Sequence, residues 1–481
     1  MKAQFLQRKG ETPSSEFLQL FVSVPTKKWV MKSRLKILQL NAMLIAFLLV
    51  TNTIAVCQND VQRTKNERYP ADLAVDWINM QRRLFSGIPH LLPHVTGRTY
   101  AYVGLTLYES LAPGMPGYQS LAPRLNGNLT LPSINEDERY YWPASANAAL
   151  AFMLKKLLPQ ATPELLMAVD SLESHYYNEF SGDSDSETLQ RSASFGREIA
   201  SAIFDWSKTD GGHEAYKSPF YETYIPPTGP GKWVSTGEFP FSQPVYPYWG
   251  NNRTFIPGLA EATQPAPPPQ YSEQPGSDFY NAVNEIYNMS QHLSHEDSLC
   301  AKFWAYVPLD PEATPEFNDV SHAANIATQL IIMKDLPLED AAVLYCKHGI
   351  AGNEAGISCV KTKFNYNVVR PITYIRNVLG HSDWKPVIPT PPFPEYTSGH
   401  ATVSMAFASV LEDAFGRDFR FTDYSFSEPY GPRSFDSFEA YAREAALSRL
   451  QAGIHYRFAM DEGLKQGREV AALVNQLKFK K

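Results

Sequence analysis

Beyond residue 60 the sequence has no apolar run near the ~20 residues that a membrane-spanning helix needs, so no span is expected in the mature chain. It has only four cysteines, Cys57, Cys300, Cys346 and Cys359. The last three cannot all pair and their spacing matches no zinc pattern. They are expected as buried small apolar side chains, with one disulfide at most. A c-type haem attachment motif is absent. So is any basic excess: 43 Lys and Arg against 50 Asp and Glu give a net charge of −7. A mildly acidic chain has no general field for nucleic acid or an anionic membrane, so any anion site must be a local cluster of Lys and Arg. No fixed-length repeat is evident, and period-two alternation is almost missing, which sets aside sheet-rich folds.

What is present is a globular composition, 44% hydrophobic and 19% charged, on 481 residues, enough for one large domain or two ordinary ones. The first 57 residues read as an extension followed by an export signal. Lys32, Arg34 and Lys36 precede an apolar run from Ala42 to Val50, and small and polar residues follow. Met31 is then the natural start, and the mature protein is expected to be periplasmic or secreted. Valine at position 56 argues against lipid attachment at Cys57.

Residues 58–275 begin helical. Leu73, Trp77, Met80 and Leu84 recur at helical spacing, as do Tyr100, Val103, Leu107 and Leu111, and residues 145–158 and 186–206 follow suit. Arg98 reads as a buried functional cation or a structural partner for an acidic residue, with the second expected. Between Ile225 and Pro275 twelve prolines accompany Trp233 and Trp249. Proline breaks helices, and a disordered linker is poorer in aromatics. This stretch is either an ordered excursion over the helical body, roofing a site, or a domain linker. From 276 to 481 helical patterns return over 277–292, 296–306, 318–334, 338–360, 398–416, 436–452 and 460–477. The fold class is all-α, a helical bundle with a proline-rich irregular excursion.

Three polar motifs lie in this last region: Lys363-x6-Arg370-Pro371, Thr397-Ser398-Gly399-His400 and Ser448-Arg449-x5-His455. They supply three permanent cations, a hydroxyl, a glycine and two histidines. That inventory suits an oxyanion. The cations balance its charge, the donors bind its oxygens, one histidine bonds the central atom and the other moves protons. Pro371 disfavours helix at Arg370, so Lys363 is expected at a helix end and Arg370 in the turn after it. Thr397 or Ser398 is a natural N-cap, and the helix start it opens offers free N–H groups beside Gly399, where no Cβ blocks approach. Gly453 and Ile454 are expected to turn the chain between two helices, with His455 opening the second.

The ordered triplet resembles the signature shared by vanadium-dependent haloperoxidases and the type 2 phosphatidic acid phosphatase superfamily. Pro389-Thr390-Pro391-Pro392-Phe393-Pro394-Glu395-Tyr396, Gly453-Ile454-His455-Tyr456-Arg457-Phe458, Ala301-Lys302-Phe303-Trp304 and Thr314-Pro315 are similar to the soluble bacterial haloperoxidase-like branch. The resemblance implies a helical bundle with the site at one end, and vanadate held by Lys363, Arg370, Ser398, Gly399 and Arg449. It implies His455 as the axial ligand and His400 as acid–base. The substrates it implies are small molecules, peroxide and halide. The same residues without vanadium serve an acid phosphatase that forms a phosphohistidine on a phosphate ester, and a lapsed enzyme would keep only oxyanion binding. Phe393 matches an aromatic near the halide site of some members, while Val360 replaces another three positions before the lysine. The family usually carries an acid four residues after the second histidine. Here that position is Ala459, and Asp461, six after, or a backbone carbonyl is expected to orient the ring.

Overall fold

The computed structural model describes residues 69–89, 91–238, 243–305 and 319–481. The proposed export segment with Cys57, and Thr314-Pro315, lie outside the described residues. Arg68–Lys481 forms one compact unit. Its principal helices are α1 (Asp72–Ser86), α2 (Pro93–Leu111), α3 (Trp142–Leu157), α4 (Pro163–Phe180), α5 (Ser186–Ser207) and α6 (Asp278–Ser290). They continue as α7 (His295–Phe303), α8 (Asp319–Met333), α9 (Leu338–Tyr366), α10 (Pro371–Asn377), α11 (Gly399–Phe415), α12 (Phe438–Gln451) and α13 (Arg457–Asn475). Two three-residue strands, β1 (Phe421–Asp423) and β2 (Arg433–Phe435), pair antiparallel. The all-α expectation holds. Among the described residues no helix is long and apolar enough to cross a membrane.

Local signals explain where these helices begin. Thr162, Asp185, Ser277 and Ser437 each accept a hydrogen bond from the backbone N–H three residues on, and Ser294 forms a reciprocal capping box with Asp297. Pro93, Pro163 and Pro371 stand at first helical positions, where the missing N–H costs nothing. Helix α2 therefore starts at Pro93, two turns before the apolar repeat that begins at Tyr100. Helix α4 falls where periodicity had suggested none, and Thr162-Pro163 is the signal that marks it.

The centre of the fold is α9, 29 residues long and buried over most of its length. Alanine and glycine on it let α2 approach closely. A Cβ at Gly104 of α2 would lie 2.7 Å from the carbonyl oxygen of Tyr345. Helices from both sides of residue 275 share this core, which runs from Leu73 through Leu107 and Ile350 to Val474. Apolar burial of this extent, worth roughly 25 cal/mol per Å², dominates the stability. Cys300, Cys346 and Cys359 are buried free thiols, and no disulfide forms among them. Arg98 is a structural ion-pair partner: its Nε donates to Asp210 at 2.7 Å and its guanidinium covers the Tyr102 ring.

The proline-rich stretch packs onto the helical body. Trp233 and Trp249 are buried. The Trp233 amide donates to the Asn367 carbonyl at 2.8 Å, Val369 to Gly231 at 2.9 Å, and Val245 to Pro392 at 3.1 Å. The excursion is thus tied to the segment that follows α9 and to the proline run before α11.

Candidate functional site

Helix α9 ends because Asn367 adopts a left-handed conformation (φ 53°) and its N–H closes on the Lys363 carbonyl. Lys363 is thereby fixed in the last turn. Arg370 is the extended residue before Pro371 opens α10. Ser398 caps α11, and its side chain makes no capping bond. Gly453 has φ 80° between α12 and α13, a conformation that favours glycine, and swings His455 back toward the other motifs.

These turns bring the three motifs to one cavity of about 660 Å³. Lys363, Gly399, His400, Arg449 and His455 line it, together with Phe393 and Val360. Every cation is buried and held by carbonyls. Lys363 Nζ donates to the carbonyls of Pro394, Glu395 and Thr397 at 3.1, 2.9 and 2.5 Å. Arg370 donates from Nε to Phe393 O and from Nη1 to Ile454 O, both at 2.9 Å. Arg449 donates from Nη2 to Ala301 O at 2.8 Å and from Nε to the Ser448 hydroxyl at 2.9 Å. The Phe393 ring lies 5.2 Å from Lys363 Nζ and 5.3 Å from the Arg370 guanidinium carbon.

The group that orients His455 is Glu395, a residue the motif pattern did not single out. Its Oε1 accepts from His455 Nδ1 at 2.7 Å and from the Tyr456 amide at 2.9 Å. Arg370 Nη1 then points at His455 Nε2 from 3.2 Å, which makes Nε2 the unprotonated nitrogen. The expectation for Asp461 is corrected: it is exposed on α13. The reason is position: His455 lies in the turn before Tyr456 caps α13, and Asp461 sits on an exposed face of that helix. Ala459 contributes only backbone, its carbonyl accepting from the Ser398 amide at 3.0 Å. Glu395 lies 60 residues before His455, so no local spacing could have found it.

Burial and the surrounding cations set the protonation states. Burial, then Arg370 and Lys363, hold His455 well below the usual imidazole range. Burial and the Arg449 charge do the same to His400, whose Nε2–H donates to the Trp304 carbonyl at 2.8 Å. Burial lowers Lys363 to about 8. It pushes Glu395 up to about 7 against the pull of Arg370 and Lys363. Both histidines are therefore neutral near pH 7, and three cations face one carboxylate.

An oxyanion fits this donor set. The charge excess is positive, which attracts an oxyanion and repels a bare divalent cation. Arg370 Nη2 and the Ser398 hydroxyl are buried without a hydrogen-bond partner, and such donors are costly unless something binds them. The first amides of α11 add partial positive charge. His455 Nε2 offers the lone pair for a bond to the central atom.

A family model described as the VCPO second helical-bundle domain matches residues 343–480. A crystal structure described as the first bacterial vanadium-dependent iodoperoxidase aligns with a TM-score of 0.74 at 31% identity, covering 85% of this chain and 96% of that one. Holo and apo structures of a bacterial vanadium-dependent chloroperoxidase both align with a TM-score of 0.63 over 81% of this chain, at 17% and 18% identity, and share the fold. No curated protein sequence matches significantly.

Proposed function

From the premise that this chain belongs to the vanadium-dependent haloperoxidase family, we propose that it oxidises halide with hydrogen peroxide, using vanadate held at His455. The observation that carries this reading is His455 held at Nδ1 by Glu395, 2.7 Å away, with Nε2 beside Arg370 at 3.2 Å. Bound vanadate supplies a Lewis-acidic centre at which peroxide becomes an oxidant of halide.

The chain's residues do the rest. Lys363, Arg370 and Arg449 balance the oxyanion charge, and the Ser398 hydroxyl and Gly399 N–H hold its oxygens. Glu395 keeps the proton on Nδ1 of His455, so Nε2 remains a donor of its lone pair. Halide, hydrogen peroxide and one proton give hypohalous acid and water, and His400 supplies that proton. Burial and then the Arg449 charge depress the basicity of His400, and a bound oxyanion offsets the charge, which favours proton transfer from this ring.

The test uses metal-stripped protein with and without orthovanadate, hydrogen peroxide, and iodide or bromide with a halogenatable dye. Iodide comes first, because an iodoperoxidase is among the structures similar to this chain. The expected result is vanadate-dependent halogenation that falls to background in His455→Ala. Hydrolysis of a phosphate ester, inhibited by vanadate and without halogenation, would instead make the protein a phosphatase.

A further inference from the structure

The cavity lining is of two kinds. One carries the cations and the two histidines of the oxyanion site. The other comes from Leu92, Pro93, His94 and Gly97 at the start of α2, from Phe220, and from Val245 and Trp249 of the irregular excursion. A halide ion or a peroxide needs little more room than a water, whose share of liquid volume is about 30 Å³. A chamber of about 660 Å³ with mainly apolar walls and a few polar groups has the size and lining of an organic-ligand site.

On that apolar wall the one titratable side chain is His94. Its ring meets Trp249 edge-on at 5.5 Å and Phe393 edge-on at 6.2 Å between centroids. Its Nδ1 is buried without a partner. Burial, with the Lys363 charge as the lesser cause, lowers its pKa to about 4, so the ring is neutral through the physiological range. A neutral imidazole offers one N–H and one lone pair and no charge. Its natural complement is a hydroxyl, which also both donates and accepts, and flanking aromatic faces favour a flat ring.

We propose that the chamber binds an aromatic alcohol beside the oxyanion site, with its ring against Trp249 and Phe393 and its hydroxyl on His94. The assignment rests on the haloperoxidase reading, in which such a molecule is the organic acceptor of the halogen. His94 is then a substrate-binding residue, and halogen transfer takes place inside the cavity: hypohalous acid and an aromatic C–H give an aryl C–X bond, and the displaced proton leaves with hydroxide as water.

Calorimetric titration of the vanadate-free full chain with 4-cyanophenol and with its methyl ether, 4-methoxybenzonitrile, tests this. The phenol is expected to bind about five- to tenfold more tightly than the ether, the yield of one neutral hydrogen bond. His94→Phe is expected to bring the phenol down to the ether's affinity, and His94→Gln to recover part of the difference. Equal affinities in the wild type, no binding of the phenol, or an unchanged preference in the variants would overturn the assignment. If His94→Phe does not fold, the wild-type ratio and His94→Gln decide it. The titration requires neither vanadate nor turnover, so a protein that binds the phenol yet fails to halogenate would overturn the functional reading alone.

Discussion

His455 pairs with Glu395 at 2.7 Å, and His322 on α8 pairs with Asp423 on β1 at 2.6 Å. All four side chains are buried, yet the two regions behave differently. Around His455 stand Lys363, Arg370 and Arg449, and its second ring nitrogen meets Arg370 at the cavity. Around His322 stand the rings of Phe303, Trp304, Phe426 and Tyr441. Burial raises Glu395 to about 7. Burial also works to raise Asp423, but His322 and the Ser425 hydroxyl and amide outweigh it and hold Asp423 at about 2. A buried histidine–carboxylate pair is thus not itself a sign of chemistry. It becomes one where the far nitrogen opens on a charged cavity, whereas the His322–Asp423 pair, packed among aromatic rings, ties α8 to β1.

The sharpest way to break this contrast is Glu395→Gln. It keeps an acceptor for Nδ1 but removes the charge, and a ten- to hundredfold loss in turnover and vanadate affinity is expected, with a near-native Tm. An unchanged turnover would erase the difference between the pairs. Asp423→Asn should do the reverse. Leaving a buried partner unmatched costs about 3–5 kcal/mol, so denaturant melts should fall by that order while the folded fraction keeps its turnover. The Asp423 contribution is fully present above pH 3.8, its unperturbed value, and is lost as pH falls through about 2. Acid melts of wild type should therefore steepen in that window, and those of Asp423→Asn should not.

A third prediction concerns pH at the first pair. Lys363 is lowered to about 8, so the empty site loses a cation as pH rises through that value. Phosphate affinity, measured by calorimetry, should fall above pH 8 by up to about tenfold per unit, and Lys363→Met should flatten that dependence. The smallest effect belongs to Asp461→Asn. Its carboxylate is exposed on α13, and turnover within about twofold of wild type is expected.

Much of this was legible in the sequence because it is local. Helical periodicity marked α1, α2 and α9. Pro371 separated Arg370 from the helix whose last turn holds Lys363, and Gly453 announced the turn before His455. Glu395 was on view within the proline-rich approach to Ser398, but its role depends on a contact across 60 residues that periodicity does not encode. The same holds for His94, brought to Phe393 only when α2 packs beside α9. Helix α4 was hidden because it buries few residues, Val169, Tyr176 and Phe180, and so lacks a continuous apolar stripe.

The central claim is that His455 Nε2, aimed by Glu395, bonds the oxyanion. A crystal structure of the vanadate-loaded protein tests it most directly. Vanadium is expected bonded to His455 Nε2, with Arg370 Nη2 and the Ser398 hydroxyl, both buried without hydrogen-bond partners, donating to its oxygens. Vanadium bonded to His400 instead, or held away from His455, would contradict it.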